Sequence, residues 1–177
     1  MDSRIVKFFI LEDDPLDQEL IKRTLKKNYD SCTITTASTK EDFYQKLQWS
    51  QPDLIISDYN LPGFNGLEAL LHIKEKHPHI PFIFVTGMLQ DEELAAGAIL
   101  KGAAGYLLKQ NMKQLPALVN TVLDKYRLHT QAKEAARQKI RQRQIMYQKL
   151  QALLDTSNDF PMREEALNIL NKLLSKE

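Results

Sequence analysis

The chain has one cysteine, Cys32, in 177 residues. A single thiol excludes an internal disulfide and fits a reducing compartment. Nothing beside it in sequence activates it, so a buried structural role is expected. Long apolar runs are also missing. None approaches the roughly 20 residues a membrane helix needs. The stretch Ile5 to Leu11 is too short for a signal peptide and runs into acids, so a cytoplasmic location is expected. An excess of one charge is lacking too. Lys and Arg number 24 against 23 Asp and Glu, and the net charge of +1 gives no global pull toward nucleic acid or anionic lipid. There is no internal repeat. What remains is ordinary: 43% apolar and 27% charged residues argue against wholesale disorder. The length allows one domain with a full core and an appendage.

The organising stretch is Leu54-Ile55-Ile56-Ser57-Asp58. An apolar run without polar alternation predicts a strand buried on both faces of a parallel sheet. Pro62 and Gly63 end it, and Asp58 falls at its carboxyl end. The other elements follow the same rhythm. Arg4 to Leu11 predicts the first strand, running into Glu12-Asp13-Asp14. Asp14 and Pro15 then open a helix to about Lys27. Cys32 to Ala37 predicts a second strand, and Ser38 or Thr39 opens a helix that Pro52 breaks. After strand three, Asp53 to Ser57, a loop from Pro62 to Gly66 leads to a helix ending near His77-Pro78. Ile80 to Val85 predicts strand four, Asp91 a helix start, and Gly102 its stop. Gly105 to Leu108 predicts strand five, and Met112 starts the fifth helix, with Pro116 tolerated near its beginning. Five strand–helix repeats imply an α/β domain, a parallel sheet wound on both faces by right-handed crossovers.

In such a sheet the carboxyl ends of all strands share one rim, where open α/β sheets hold ligands. That rim carries Glu12, Asp13, Asp58, Thr86 and Lys109. Three carboxylates so close repel one another unless a cation sits among them. Oxygen-only ligands favour a hard ion such as Mg²⁺. A hydroxyl and an ammonium beside them suit phosphoryl oxygens, so the chemistry suggested is phosphoryl transfer onto a carboxylate. A flavodoxin-type cofactor binder is the weaker option, because Glu12-Asp13-Asp14 repels the phosphate its loop must cradle.

These segments, in this order, carry a resemblance: Leu11-Glu12-Asp13-Asp14; Asp58-Tyr59-Asn60-Leu61-Pro62 with Gly66; Val85-Thr86-Gly87; and Gly105-Tyr106-Leu107-Leu108-Lys109. From about residue 3 to 126 the chain resembles the receiver domain of two-component response regulators. The resemblance implies a flavodoxin-like sheet in strand order 2-1-3-4-5. It implies Asp58 as phosphoryl acceptor. Asp13 and Asp58 would be direct ligands of Mg²⁺, with Glu12 assisting and Asn60 supplying its backbone carbonyl. Thr86 and Lys109 would take the phosphoryl oxygens, and Gly87 would leave the acceptor open to a donor. Tyr106 would be the aromatic switch that follows Thr86. The donor would be a histidine kinase or histidine phosphotransfer protein. Self-phosphotransfer and autodephosphorylation would be the only catalysis. One position departs: Gln110 stands where the family carries proline after its lysine. A cis bond before a non-proline residue costs about 2.5–4 kcal/mol, so a trans or strained loop is expected.

Residues 127–154 change character. Gly and Pro vanish, and seven basic residues from Arg127 to Lys149 face one acid, Glu134. The fifth helix is expected to continue unbroken through them. A seven-residue frame runs through Ala136, Ile140, Arg143, Tyr147, Leu150 and Leu154, though Arg143, His129 and Lys133 are poor coiled-coil core residues. Two expectations stand: a homodimer through these helices, or a lone basic helix docked on its own receiver or a neighbour. Nucleic acid is not expected as a partner. Residues 155–159 break the helix, and Pro161 opens a final apolar one through Leu174. It is read as folding back on the chain, as a dimer contact, or as the start of an effector domain cut short at Glu177. The whole is expected to be a phosphorylation-dependent switch. The alternatives are a pseudo-receiver scaffold or dimerisation module, or the front of a larger signalling enzyme.

Overall fold

The computed structural model describes residues 5–87, 92–156, 164 and 168. The elements are β1 (Val6–Leu11), α1 (Pro15–Asn28), β2 (Cys32–Ala37), α2 (Lys40–Ser50) and β3 (Leu54–Ser57). There follow β4 (Asn60–Leu61), β5 (Phe64–Asn65), α3 (Gly66–Lys76), β6 (Phe82–Thr86), α4 (Glu92–Leu100) and β7 (Gly105–Leu108). A 3₁₀ turn, Lys109–Gln114, leads into α5 (Leu115–Thr156). Five strands form one parallel sheet in the order β2-β1-β3-β6-β7. Because β4 and β5 form a separate hairpin, this is the 2-1-3-4-5 order of the flavodoxin-like fold.

The sheet divides two cores by the alternation that every strand imposes. Phe9, Leu11, Ile55, Phe82 and Phe84 point to one side and meet Phe43 and Leu47 of α2, Leu70 and Ile73 of α3, and Ala98 of α4. Val6, Phe8, Ile10, Leu54, Ile56, Ile83 and Val85 point to the other, where Ile21 and Leu25 of α1 and Leu115, Val119 and Val122 of α5 cover them. Uninterrupted apolar strands are thus required: both faces need apolar side chains. The helices start where local chemistry says. Asp14 caps α1, Thr39 caps α2 and Asn65 caps α3, each accepting backbone N–H bonds.

Four details differ from the sequence-based expectations. Asp155 and Thr156, expected to break the helix, still belong to α5, and 157–159 lie outside the described residues. The loop from Pro62 to Gly66 contains the β4–β5 hairpin, paired Asn60 to Asn65 and Leu61 to Phe64. Gly63, at φ 65°, makes its turn. The fourth sheet strand begins at Phe82 rather than Ile80 and includes Thr86. Pro81 has no N–H to give and enters the sheet only through its carbonyl, 3.0 Å from Ile55 N. Met112 lies in the 3₁₀ turn, and α5 starts at Leu115, which places Pro116 in its first turn. Every peptide among the described residues is trans, so Lys109-Gln110 passes directly into that turn. The expected start at Asp91 and the final helix from Pro161 lie outside the described residues, apart from Glu164 and Asn168, which are helical.

Contacts group the chain into two units, Met1–Leu128 and His129–Glu177. In the second, the described residues 129–152 are helical and exposed, except the half-buried Tyr147. No helix among the described residues is long and apolar enough to cross a membrane.

Candidate functional site

The rim at the carboxyl ends of the sheet strands is built by extending the ladder one step past the strands. Glu12 N donates to Ala37 O at 3.0 Å, and Asp58 N donates to Leu11 O at 2.9 Å. This fixes Glu12 and Asp58 side by side at the ends of neighbouring strands. The turn after β1 is held from α1. Asp14 Oδ1 accepts from Leu16 N at 2.7 Å and Asp17 N at 3.2 Å. Gln18 Nε2 donates to Glu12 O at 2.7 Å and to Ser38 Oγ at 3.0 Å. Below Asp58, Ser57 Oγ donates to Asp58 O at 2.6 Å. Gly66 packs so closely that a β-carbon there would overlap Asp58 O and come within 2.9 Å of the Phe84 ring. The hairpin's return onto Asp58 therefore demands glycine at 66.

The charged groups converge on one ammonium. Lys109 Nζ lies 3.0 Å from Asp58 Oδ2, 2.9 Å from Glu12 Oε2 and 2.6 Å from Asp17 Oδ2. Asp58 Oδ1 accepts from Tyr59 N at 2.6 Å. Burial pulls the Lys109 ammonium down, but the hydrogen bonds it donates to Asp17, Glu12 and Asp58 outweigh it and hold its pKa above the ordinary lysine value. Glu12 is 1% exposed. Burial pushes its carboxyl above the ordinary glutamate value, against the pull of Lys109 and with the help of the neighbouring Asp58 charge. Its Oε2 is buried, with the Lys109 ammonium beside it at 2.9 Å.

Glu12, Asp13 and Asp58 each bring one carboxylate oxygen within 4.8 Å of the others. This all-oxygen set suits a hard divalent cation. Three carboxylates this close call for more positive charge than one ammonium brings, so the residues fit Mg²⁺. Asn60 follows two residues later as the exposed first residue of β4. Thr86 is buried at the end of β6, opposite Leu108 in register, and so shares the rim with Lys109. Gly87 comes next. Among the described residues, a β-carbon there would meet Lys109 Cδ alone, at 3.8 Å. Tyr106 lies in β7 opposite Phe84, half-buried against the core that α2, α3 and α4 cover.

The structure thus gathers Glu12, Asp13, Asp58 and Lys109 into one cluster, with Thr86 and Gly87 at the same edge. It adds Asp17, which the sequence reading passed over. The available signal was position: Asp17 lies in the first turn of α1, the helix that leaves the rim directly after Asp13 and Asp14.

The family model for the response regulator receiver domain matches residues 8–120. Among curated proteins, the DNA-binding transcriptional regulator NtrC of Klebsiella pneumoniae is 31% identical over 72% of this chain and 27% of its own length. A protein-glutamate methylesterase/protein-glutamine glutaminase of Paramagnetospirillum magneticum is 33% identical over 59% of this chain and 30% of its own. The chain therefore spans about a third or less of the length of these relatives. Among solved structures, a response regulator receiver domain from Clostridium thermocellum aligns with a TM-score of 0.62 and 26% identity, over 70% of this chain and 98% of that one. A DNA-binding response regulator of the LuxR family from Staphylococcus aureus aligns at 0.58 and 25%, over 67% and 99%. With the sheet order, the clustered acids and the rim lysine all in place, the chain belongs to the response regulator receiver domain family.

Proposed function

We propose that this chain is a phosphorylation-dependent switch whose phosphoryl acceptor is Asp58. The observation that carries the reading is the meeting of Asp58, Glu12 and Asp13 oxygens within 4.8 Å, beside an ammonium 3.0 Å from Asp58. Receiver domains take phosphoryl groups from histidine kinases or phosphotransfer proteins and generally bind Mg²⁺ at their acidic pocket. Glu12, Asp13 and Asp58, with the Asn60 carbonyl, would hold that ion here. Bound there, it would neutralise charge on the phosphoryl oxygens and the acids.

The residues of the chain do the rest. An Asp58 carboxylate oxygen forms a new O–P bond while the donor's bond to phosphorus breaks, and the leaving group keeps that electron pair. Tyr59 N–H and Lys109 hold the carboxylate in place for this attack. Lys109 and the Thr86 hydroxyl receive the phosphoryl oxygens, and Gly87 leaves the donor room. Water later cleaves the acyl phosphate and restores the carboxylate. As Thr86 is drawn to the phosphoryl group, Tyr106 follows, and the face made by α4, β7 and α5 is altered for a partner. The helical second unit is read as the output segment and as the contact between two copies. Light scattering after size exclusion, with and without Mg²⁺ and beryllofluoride, tests the pairing. A monomer under both conditions rejects it.

Asp58→Asn tests the central assignment. Incubation with acetyl phosphate and Mg²⁺ should add one phosphoryl mass to the wild-type chain and none to the variant. Undiminished labelling of the variant overturns the assignment.

A further inference from the structure

Asp17 makes the shortest of the three contacts to Lys109, 2.6 Å against 2.9 Å to Glu12 and 3.0 Å to Asp58. An ammonium has three N–H donors, and three carboxylates surround this one. A phosphoryl oxygen that comes to pair with Lys109 must therefore displace one of them. The three are not equally displaceable. Glu12 is 1% exposed, so water cannot take the ammonium's place at its carboxylate. Asp58 becomes the acyl phosphate, one of its oxygens bonded to phosphorus, and is covalently part of the incoming group. Asp17 has a side chain 33% exposed, so water can take over its carboxylate at small cost. It also sits in the first turn of α1, where the positive helix end favours an anion even after the lysine has left.

We propose that Asp17 is a positioning residue that holds Lys109 in the resting site and is the partner the phosphoryl group displaces. Asp17 thereby sets how tightly the site takes a phosphoryl group, without touching that group itself. This rests on the reading of Asp58 as the acceptor. The geometry supplies the rest: Asp14 holds the backbone N–H of Asp17 at 3.2 Å, and the first turn of α1 thus carries the Asp17 carboxylate to a lysine 92 residues away in sequence.

The test is beryllofluoride binding in saturating Mg²⁺, followed by tryptophan or tyrosine fluorescence, with free Mg²⁺ binding measured separately. Asp17→Asn keeps the shape and loses the charge. It should bind beryllofluoride about fivefold or more tightly than wild type, the worth of one partly exposed ion pair. In a Lys109→Met background the same Asp17→Asn change should alter binding less than about twofold, since no ammonium is left to compete for. Lys109→Gln replaces Lys109→Met if thermal melting shows the latter unfolded. Equal gains in both backgrounds mean simple charge repulsion and overturn the proposal. So does unchanged or weaker binding by Asp17→Asn in the lysine-containing chain. Wild-type protein that binds no beryllofluoride overturns the Asp58 reading and this one together. Wild-type binding lost in Asp58→Asn but untouched by Asp17→Asn overturns this one alone.

Discussion

Two parts of this chain are rich in charge, and they treat it in opposite ways. At the rim, Glu12, Asp58 and Lys109 are largely withdrawn from water, with side chains 1%, 12% and 16% exposed. From Arg127 to Lys149, seven basic residues stand against Glu134, and every charged residue described from His129 on is exposed. Exposed charge costs little and contributes little, because water and salt screen it. Withdrawn charge is expensive unless paired, and it keeps its place only where neighbours make up the loss. The difference teaches where chemistry belongs: a buried, mutually dependent cluster responds sharply when one more charge arrives, and a solvated one does not.

The contrast can be broken most severely at the lysine. Lys109→Met leaves Glu12 buried beside Asp58 with no cation, and without divalent ions it should lose about 3 kcal/mol of stability in urea titration. Addition of Mg²⁺ should restore part of that loss, and an equal midpoint for wild type and variant would refute the dependence. Gly66→Ala comes next. Its β-carbon overlaps the Asp58 carbonyl, so a loss of about 2 kcal/mol is expected, together with weaker Mg²⁺ binding by calorimetry.

Tyr29 sharpens the comparison from a third place. Its hydroxyl donates to Asn120 Oδ1 at 2.6 Å. Burial, reinforced by the Asp124 charge, pushes its pKa up to about 12 from 10.0. A raised acid keeps its proton longer when folded, so stability should fall as pH rises from 10.0 toward 12. Tyr29→Phe should remove that slope and cost about 1 kcal/mol at neutral pH. Thermal melts across the alkaline range read both. Least of all, Arg137→Ala and Lys139→Ala should each change stability by about 0.5 kcal/mol or less. A loss of the rim's size at either position would end the contrast.

Much of this was legible in the letters, for reasons that name themselves. Strands such as Leu54–Ser57 and Phe82–Thr86 must be apolar on both faces, and such runs stand out. Asp14 before Pro15 announces a helix start by residue chemistry alone. The rim residues were legible because each one ends a strand. The hairpin was not, because two-residue strands are too short to show a period. The 3₁₀ turn was read as helix because Met112 and Leu115, both buried, mimic helical spacing. Asp17 was hidden behind a simpler explanation, since an acid in a first helical turn already has a reason to be there. Only the fold shows that β7 delivers Lys109 to it.

One last consequence lies in the pairing of β6 with β7. Thr86 faces Leu108, Val85 faces Leu107 and Phe84 faces Tyr106. The hydroxyl at the edge and the ring behind it are therefore only two rungs apart on adjacent rails. Rails clamped between two packed layers cannot slip by one rung without turning every side chain to the wrong layer. In the proposed switch, the route from Thr86 to Tyr106 would be that short and that stiff.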